Sequence, residues 1–316
     1  MMKMNTISTL KLELRAICEE IQETMGVENV VIVERNGYPL VSAGVWLSRD
    51  EIFEVSASAA AINASIHQYN CDMRYALFEG ESYKVSLFNI PEINEFFLIM
   101  TMSSKVNLGA AIIKATKRLG EIRDRLKEIL LTATAPLIEY TKDELREIEK
   151  GFQVKYTSKS KNFDIYKSDL YLDESTIHAL NKIVSNLKVS LGPVLKNIAL
   201  TTLGGFVIIS SSNESYGSVL MSAVFDTAKK LLGTLRGVEM EQLMLVYPSD
   251  YFIMQSINNI VLQLRVTKEI KLGLLRFIIN ATKKSVKEVL KRAILQPSAS
   301  VKVLSANVNV LLRDLL

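Results

Sequence analysis

Residues 27–44, VENVVIVERNGYPLVSAG, decide how this chain folds. The stretch predicts a strand over 29–33, a tight turn at Asn36-Gly37 and a second strand over 38–43. Asn-Gly between two apolar runs is the strongest short-range hairpin signal, because both residues tolerate a positive φ. We therefore expect a fold built around an antiparallel hairpin.

The same pattern recurs at residues 195–212, LKNIALTTLGGFVIISSS, where Gly204-Gly205 supplies the turn. Asn29 and Asn197 lie 168 residues apart in the sequence, and the two turns keep that spacing. The spacing becomes 164 in the last strand and the last helix of each copy, as for Leu98/Leu262 and Gly109/Gly273. A four-residue deletion in a loop accounts for the change, because loops tolerate deletions. The sequence therefore predicts an internal duplication.

The composition is that of an ordinary globular protein. The chain has 316 residues, 48% of them apolar, which is enough for two domains of about 150 residues. Its net charge of +4 is too small to argue for a nucleic-acid partner. Two cysteines give neither a disulfide framework nor a metal-ligand spacing, and a reducing cytoplasm is the expected location. No apolar run reaches the length of a transmembrane segment, so none is expected.

Hydrophobic periodicity predicts the same order of elements, α-β-β-α-β-β-β-α, in each copy. The middle helix of the first copy is expected over 48–69, with Ser48 and Glu51 forming a capping box at its start. We expect a first domain over 1–131, a charged linker with a short helix over 132–171, a second domain over 172–293 and an amphipathic tail over 294–316. The apolar face of the tail docks on its own domain or on a partner.

One stripe of the first middle helix carries small side chains, which would let another helix approach closely. We interpret it as the surface through which the two domains pair, and the alternative is that it packs under a loop or faces solvent. The predicted pairing residues are Ser56, Ala57, Ala60, Asn63 and Ala64.

Sequence signatures of catalysis are missing. The chain has no GxxxxGK[ST], GxGxxG, HExxH, GxSxG or CxxC motif. Its two histidines, His67 and His178, do not occupy equivalent positions in the two copies, and its carboxylates mostly alternate with Lys and Arg as on a solvated helix face. We therefore predict a protein that is not an enzyme, with no catalytic residue, cofactor or metal.

Residues 106–119, VNLGAAIIKATKRL, together with NGYPLVSAG, resemble the roadblock/dynein light chain family. The resemblance covers about residues 5–131 and, more faintly, 173–292. The second copy departs from the pattern: Lys271-Leu272-Gly273 replaces Asn-Leu-Gly, and Phe225, Lys229 and Lys230 are bulkier or charged.

The resemblance implies an α+β fold of two roadblock-like domains, each a five-stranded antiparallel sheet between helices. It also implies that such domains pair through their middle helices and join their sheet edges into one continuous sheet. In this chain the partner domain is either the second copy, which gives an intrachain pseudo-dimer, or another molecule.

The resemblance further implies a non-catalytic regulator or scaffold that binds a small Ras-like GTPase, with or without an effect on GTP hydrolysis. The partner-binding residues would be Asp50, Glu54, Ser58, Ala61, His67, Tyr216 and Asp226. The alternative is a structural adaptor, of the motor light chain or membrane-scaffold type, without GTPase contact. A small-ligand sensor is a third reading, disfavoured because the sequence shows no polar cluster for a pocket.

Overall fold

The first half of the described chain folds into five strands and three helices. The computed structural model describes residues 2–44, 46–132, 172–211 and 215–294; the predicted linker helix and C-terminal tail lie outside these ranges. In order, the elements are α1 (Met2–Gln22), β1 (Val27–Glu34), β2 (Pro39–Gly44), α2 (Arg49–Tyr69), β3 (Tyr75–Gly80), β4 (Tyr83–Ile90), β5 (Ile93–Ser103) and α3 (Leu108–Thr132).

The second half repeats this order. Its elements are α4 (Glu174–Leu191), β6 (Leu195–Thr202), β7 (Val207–Ser210), α5 (Ser215–Arg236), β8 (Met240–Val246), β9 (Asp250–Ile257), β10 (Ile260–Thr267) and α6 (Leu272–Ile294). A short 3₁₀ turn, Gly192–Val194, joins α4 to β6. The predicted fold class is confirmed, and the domain limits stay predictions.

Both hairpins close as their sequences require. Gly37 and Gly205 have φ values of 94° and 88°, which only glycine adopts without strain. The amide of Glu34 donates to the carbonyl of Tyr38 at 2.8 Å, and in the second copy the amide of Thr202 donates to the carbonyl of Phe206 at the same distance. The two turns are therefore structurally equivalent.

The helix starts also follow local chemistry. Ser48 caps α2: its hydroxyl accepts from the amide of Glu51 at 3.3 Å, while the Glu51 carboxylate accepts from the amide of Ser48 at 2.8 Å. This is the predicted capping box. Asp173 caps α4, where its carboxylate accepts from the amide of Thr176 at 2.8 Å.

All ten strands form one sheet, in the order β2-β1-β5-β4-β3-β8-β9-β10-β6-β7. The two halves join at the antiparallel pair β3·β8, where Leu77 lies opposite Met244 and Tyr75 opposite Val246. We call this junction the seam. The two halves therefore pair within one chain, as an intrachain pseudo-dimer.

Helices cover the two faces of the sheet unequally. Buried side chains of α1, α3, α4 and α6 pack on one face. Of the described helices, α2 and α5 pack on the other face, where residues such as Val55, Ile62, Phe225 and Leu231 form a second core with the strands. Both cores run across the seam, so the halves share their hydrophobic interior.

Candidate partner-binding surface

The two middle helices, α2 and α5, lie against each other above the sheet. Tyr69, in the last turn of α2, makes the close contact: a Cβ built on Gly217 of α5 would lie 2.9 Å from its ring. The same ring packs edge-on against Phe252 of β9, with centroids 5.6 Å apart. Gly217 therefore leaves room for an aromatic side chain of the other half, and Tyr69 ties α2 to the second domain.

The predicted pairing residues all lie on α2 and are buried to different degrees. Ser56, Ala60 and Asn63 are buried, and Ala57 and Ala64 are half-buried. Ala57 faces the hairpin turn of its own domain, where a Cβ on Gly37 would lie 3.0 Å from the Ala57 Cα. Tyr69, which periodicity places in the core stripe, is the residue whose contact with α5 is resolved. The pairing role of the small residues stays a prediction.

The predicted partner-binding residues are spread over this face. Asp50 and Ala61 are exposed, while Glu54, Ser58 and Asp226 are half-exposed. The Asp226 carboxylate accepts from Lys230 one helical turn on, at 2.7 Å. Tyr216 belongs to α5, and its side chain lies outside the described residues.

His67 takes a different position, at the C-terminal end of α2. Burial lowers the pKa of its imidazole, the charge of Arg35 lowers it further, and a hydrogen bond with Asn89 opposes both. His67 also lines a cavity at the seam with Tyr75 and Tyr251. The His67 ring therefore belongs to that cavity as well as to the helix.

Three exposed apolar side chains add to the surface of the middle helices. Phe206 (69% exposed) follows the turn of the second hairpin, next to Val219 of α5 (44% exposed), and Trp46 (58% exposed) precedes α2. The turn glycine Gly205 lies against Val219, which holds the hairpin tip beside the helix. We call the exposed sides of α2 and α5, with these three residues, the middle-helix surface. Sequence reasoning passed over Phe206 and Trp46 because single exposed aromatics carry no periodic signal.

The reactive side chains have simple environments. Cys18 is buried in α1, and burial raises the pKa of its thiol to about 12, so it is a packing residue. Among the described residues, no three His, Cys, Asp or Glu side chains come together in a group that could hold a metal ion. Within the same residues, every helix is too short or too polar to cross a membrane.

Each half of the described chain has the order of helices and strands that the resemblance to roadblock domains implies. No family model matches the sequence, and no curated protein matches it either. Solved structures similar to it include Myxococcus xanthus MglB, at 18% identity over 41% of this chain and 100% of that chain, with a TM-score of 0.37. A roadblock/LC7 domain from Streptomyces avermitilis matches at 12% identity over 36% of this chain and 97% of its own, with a TM-score of 0.33. The gliding protein MglB of Thermus thermophilus matches at 12% identity over 39% and 97% of the two chains, with a TM-score of 0.36.

Proposed function

We propose that this protein is a non-catalytic regulator or scaffold that binds a small Ras-like GTPase through the middle-helix surface. The observation that carries the proposal is the unequal covering of the sheet. Among the described helices, four close one face, whereas α2 and α5 cover the other. In this proposal the two domains present one continuous recognition surface made by both middle helices.

The chemistry of the middle-helix surface suits a protein partner. Phe206 and Trp46 are large, exposed aromatic side chains of the kind that anchor interfaces. Asp50 and Glu54 lie near the start of α2 and supply the polar surroundings that interface rims require. Exposed Ala61 lies between them and the C-terminal part of the helix, where a partner helix or loop can approach closely.

Any effect on GTP hydrolysis would arise in the partner. In this proposal the nucleotide stays within the GTPase, and the middle-helix surface changes the rate by ordering the switch loops of that protein. We also propose a cytoplasmic location, because the GTPase must be able to reach the middle-helix surface.

Purified Ras-like GTPases encoded in the same genome provide the test. Each is loaded with GDP or with a non-hydrolysable GTP analogue, and binding to the full chain is measured by calorimetry. We expect one GTPase to bind with an affinity that depends on the nucleotide. Binding that ignores the nucleotide would instead favour a structural adaptor, and absence of binding for every GTPase would reject the proposal.

A pair of matched variants locates the contact. Ala61→Arg places a charged side chain on the exposed side of α2 and should weaken GTPase binding about tenfold or more, because central interface positions tolerate bulk poorly. Ala281→Arg makes the same change at an exposed position of α6, on the opposite face of the sheet. This variant should bind the GTPase as tightly as the parent does. Equal weakening by both variants, or by neither, would move the contact away from the middle helices.

A further inference from the structure

A cavity of about 650 Å³ opens at one end of the seam, a size typical of small-molecule sites. Both halves of the chain build it. The first contributes Arg74, Tyr75, Phe88, Asn89 and the α3 residues Thr116, Leu119 and Gly120, and the second contributes Val246, Tyr251 and Lys268. The cavity therefore exists only because β3 pairs with β8, and neither copy alone encodes it.

Aromatic rings form one part of the cavity lining. Tyr75 and Phe88, on neighbouring strands, are stacked with centroids 5.3 Å apart and an interplanar angle of 30°. Tyr251 comes from the other half, and the ammonium group of Lys268 lies 5.5 Å from its ring centroid. Such surfaces bind planar rings by stacking, with a cation fixed beside them.

Two cationic side chains, those of Arg74 and Lys268, form another part of the cavity lining. Burial lowers the pKa of Lys268, the positive charge of Arg74 lowers it further, and the negative charge of Asp250 opposes both effects. Neither one forms an ion pair with another residue of the described ranges. The carboxylates that also line the cavity are exposed Asp72 and Glu92. Glu92 already accepts from Arg123 at 3.1 Å and from Lys127 at 2.6 Å, which leaves Arg74 and Lys268 for a ligand anion.

Gly120 supplies a third and independent observation. It lies in the interior of α3, where glycine costs roughly 1 kcal/mol relative to alanine. A Cβ built on it meets no atom within 4 Å, so packing does not require glycine there. The equivalent position of the second copy, 164 residues on, is Lys284. Gly120 therefore lines the cavity without a side chain, whereas the equivalent position of the second copy carries lysine.

We propose that the seam cavity binds a small anionic ligand with a planar ring, of the nucleoside monophosphate class. The ring stacks against Tyr75, Phe88 or Tyr251, and the phosphate is held by Arg74 and Lys268. This site lies apart from the middle-helix surface and does not depend on the proposed GTPase function. Binding of such a ligand would make the protein a small-ligand sensor, the alternative that the sequence alone disfavoured.

Calorimetric titration of the full chain tests the proposal with AMP and GMP, and with adenosine and inorganic phosphate as the separate halves of a nucleotide. We expect a nucleotide to bind more tightly than either half. Lys268→Gln should weaken binding about tenfold or more, the usual effect of losing a charge-assisted hydrogen bond. If none of the four probes binds, or if inorganic phosphate binds as tightly as the nucleotides, the proposal is wrong.

Gly120→Leu separates a blocked cavity from a damaged fold. Leucine is a better helix former than glycine and its side chain has room, so the variant should melt at or above the parent temperature while nucleotide binding is lost. Lys284→Gln, at the equivalent position of α6, is the control and should bind as the parent does. Undiminished binding by Gly120→Leu would place the ligand elsewhere.

Discussion

At the scale of single residues, the most specific feature of the second domain is the carboxylate of Asp250, which is 1% exposed. It accepts hydrogen bonds from Lys196 at 2.5 Å and from Arg265 at 3.0 Å. Burial alone would raise the pKa of this carboxyl, but the bonds from Lys196 and Arg265 outweigh burial and hold it below its ordinary value. The equivalent positions of the first domain are Glu28, Ser82 and Thr101, so this ion cluster belongs to one copy only.

Asp250→Asn should lower the free energy of unfolding by about 1–3 kcal/mol at pH 7, because it leaves Arg265 and Lys196 without their anion. A lowered pKa stabilises the fold above the unfolded value of about 3.9, and that stability is lost as the pH falls through the folded value. The difference between parent and variant should therefore shrink below about pH 4 in urea titrations. Glu288→Gln, which breaks an exposed pair with Lys291, is the control and should change stability by less than about 0.5 kcal/mol.

At the scale of elements, the capping box holds the start of α2, one of the two helices that form the proposed binding surface. Ser48→Ala should lower the free energy of unfolding by about 1 kcal/mol and speed hydrogen exchange in the first turn of α2. Ser65→Ala makes the same change inside the helix, where the Ser65 hydroxyl only bonds the carbonyl of Ala61. It should be neutral or slightly stabilising, and equal losses in the two variants would contradict the capping argument.

The helices and strands could be predicted from the sequence, whereas the particular side-chain contacts between them could not. Asn36-Gly37, Gly204-Gly205 and Ser48 act through neighbouring backbone groups, so their effects are local and legible. The contact of Tyr69 with Gly217 and the cavity between Arg74 and Lys268 join residues far apart in the chain. Periodicity reports which side of a helix is buried but not what buries it. Ala57 illustrates this limit, since its half-buried position reflects the turn at Gly37.

At the scale of the whole molecule, the seam joins the two halves into one cooperative unit. Trp46 is the only tryptophan of the chain and lies in the first half, so its fluorescence reports on that half, whereas far-ultraviolet circular dichroism reports on both. Because both cores cross the seam, the two signals should give one coincident thermal transition. A fluorescence midpoint clearly different from the dichroism midpoint would show that the halves unfold separately.

Gly80→Val tests the seam directly. Gly80 pairs with Met240, and a Cβ there would lie 2.6 Å from Val238 Cγ1 and 3.0 Å from the carbonyl oxygen of Glu239. We expect the variant to lose about 1–3 kcal/mol of stability, measured by denaturant titration, because the backbone of the opposite half must move. Gly233→Val is the matched control, since a Cβ on Gly233 of α5 meets nothing within 4 Å. A smaller loss for Gly80→Val than for the control would contradict this account of the seam.

Covalent linkage of the two copies has a consequence for how the molecule behaves in a cell. Two domains on one chain meet at an effective concentration set by the tether, so dilution does not separate them. A homodimer must also carry the same side chain at both symmetry-related positions, whereas Gly120 and Lys284 differ here. The two halves of each molecule therefore remain different at any protein concentration, and a mutation can change one half without changing the other.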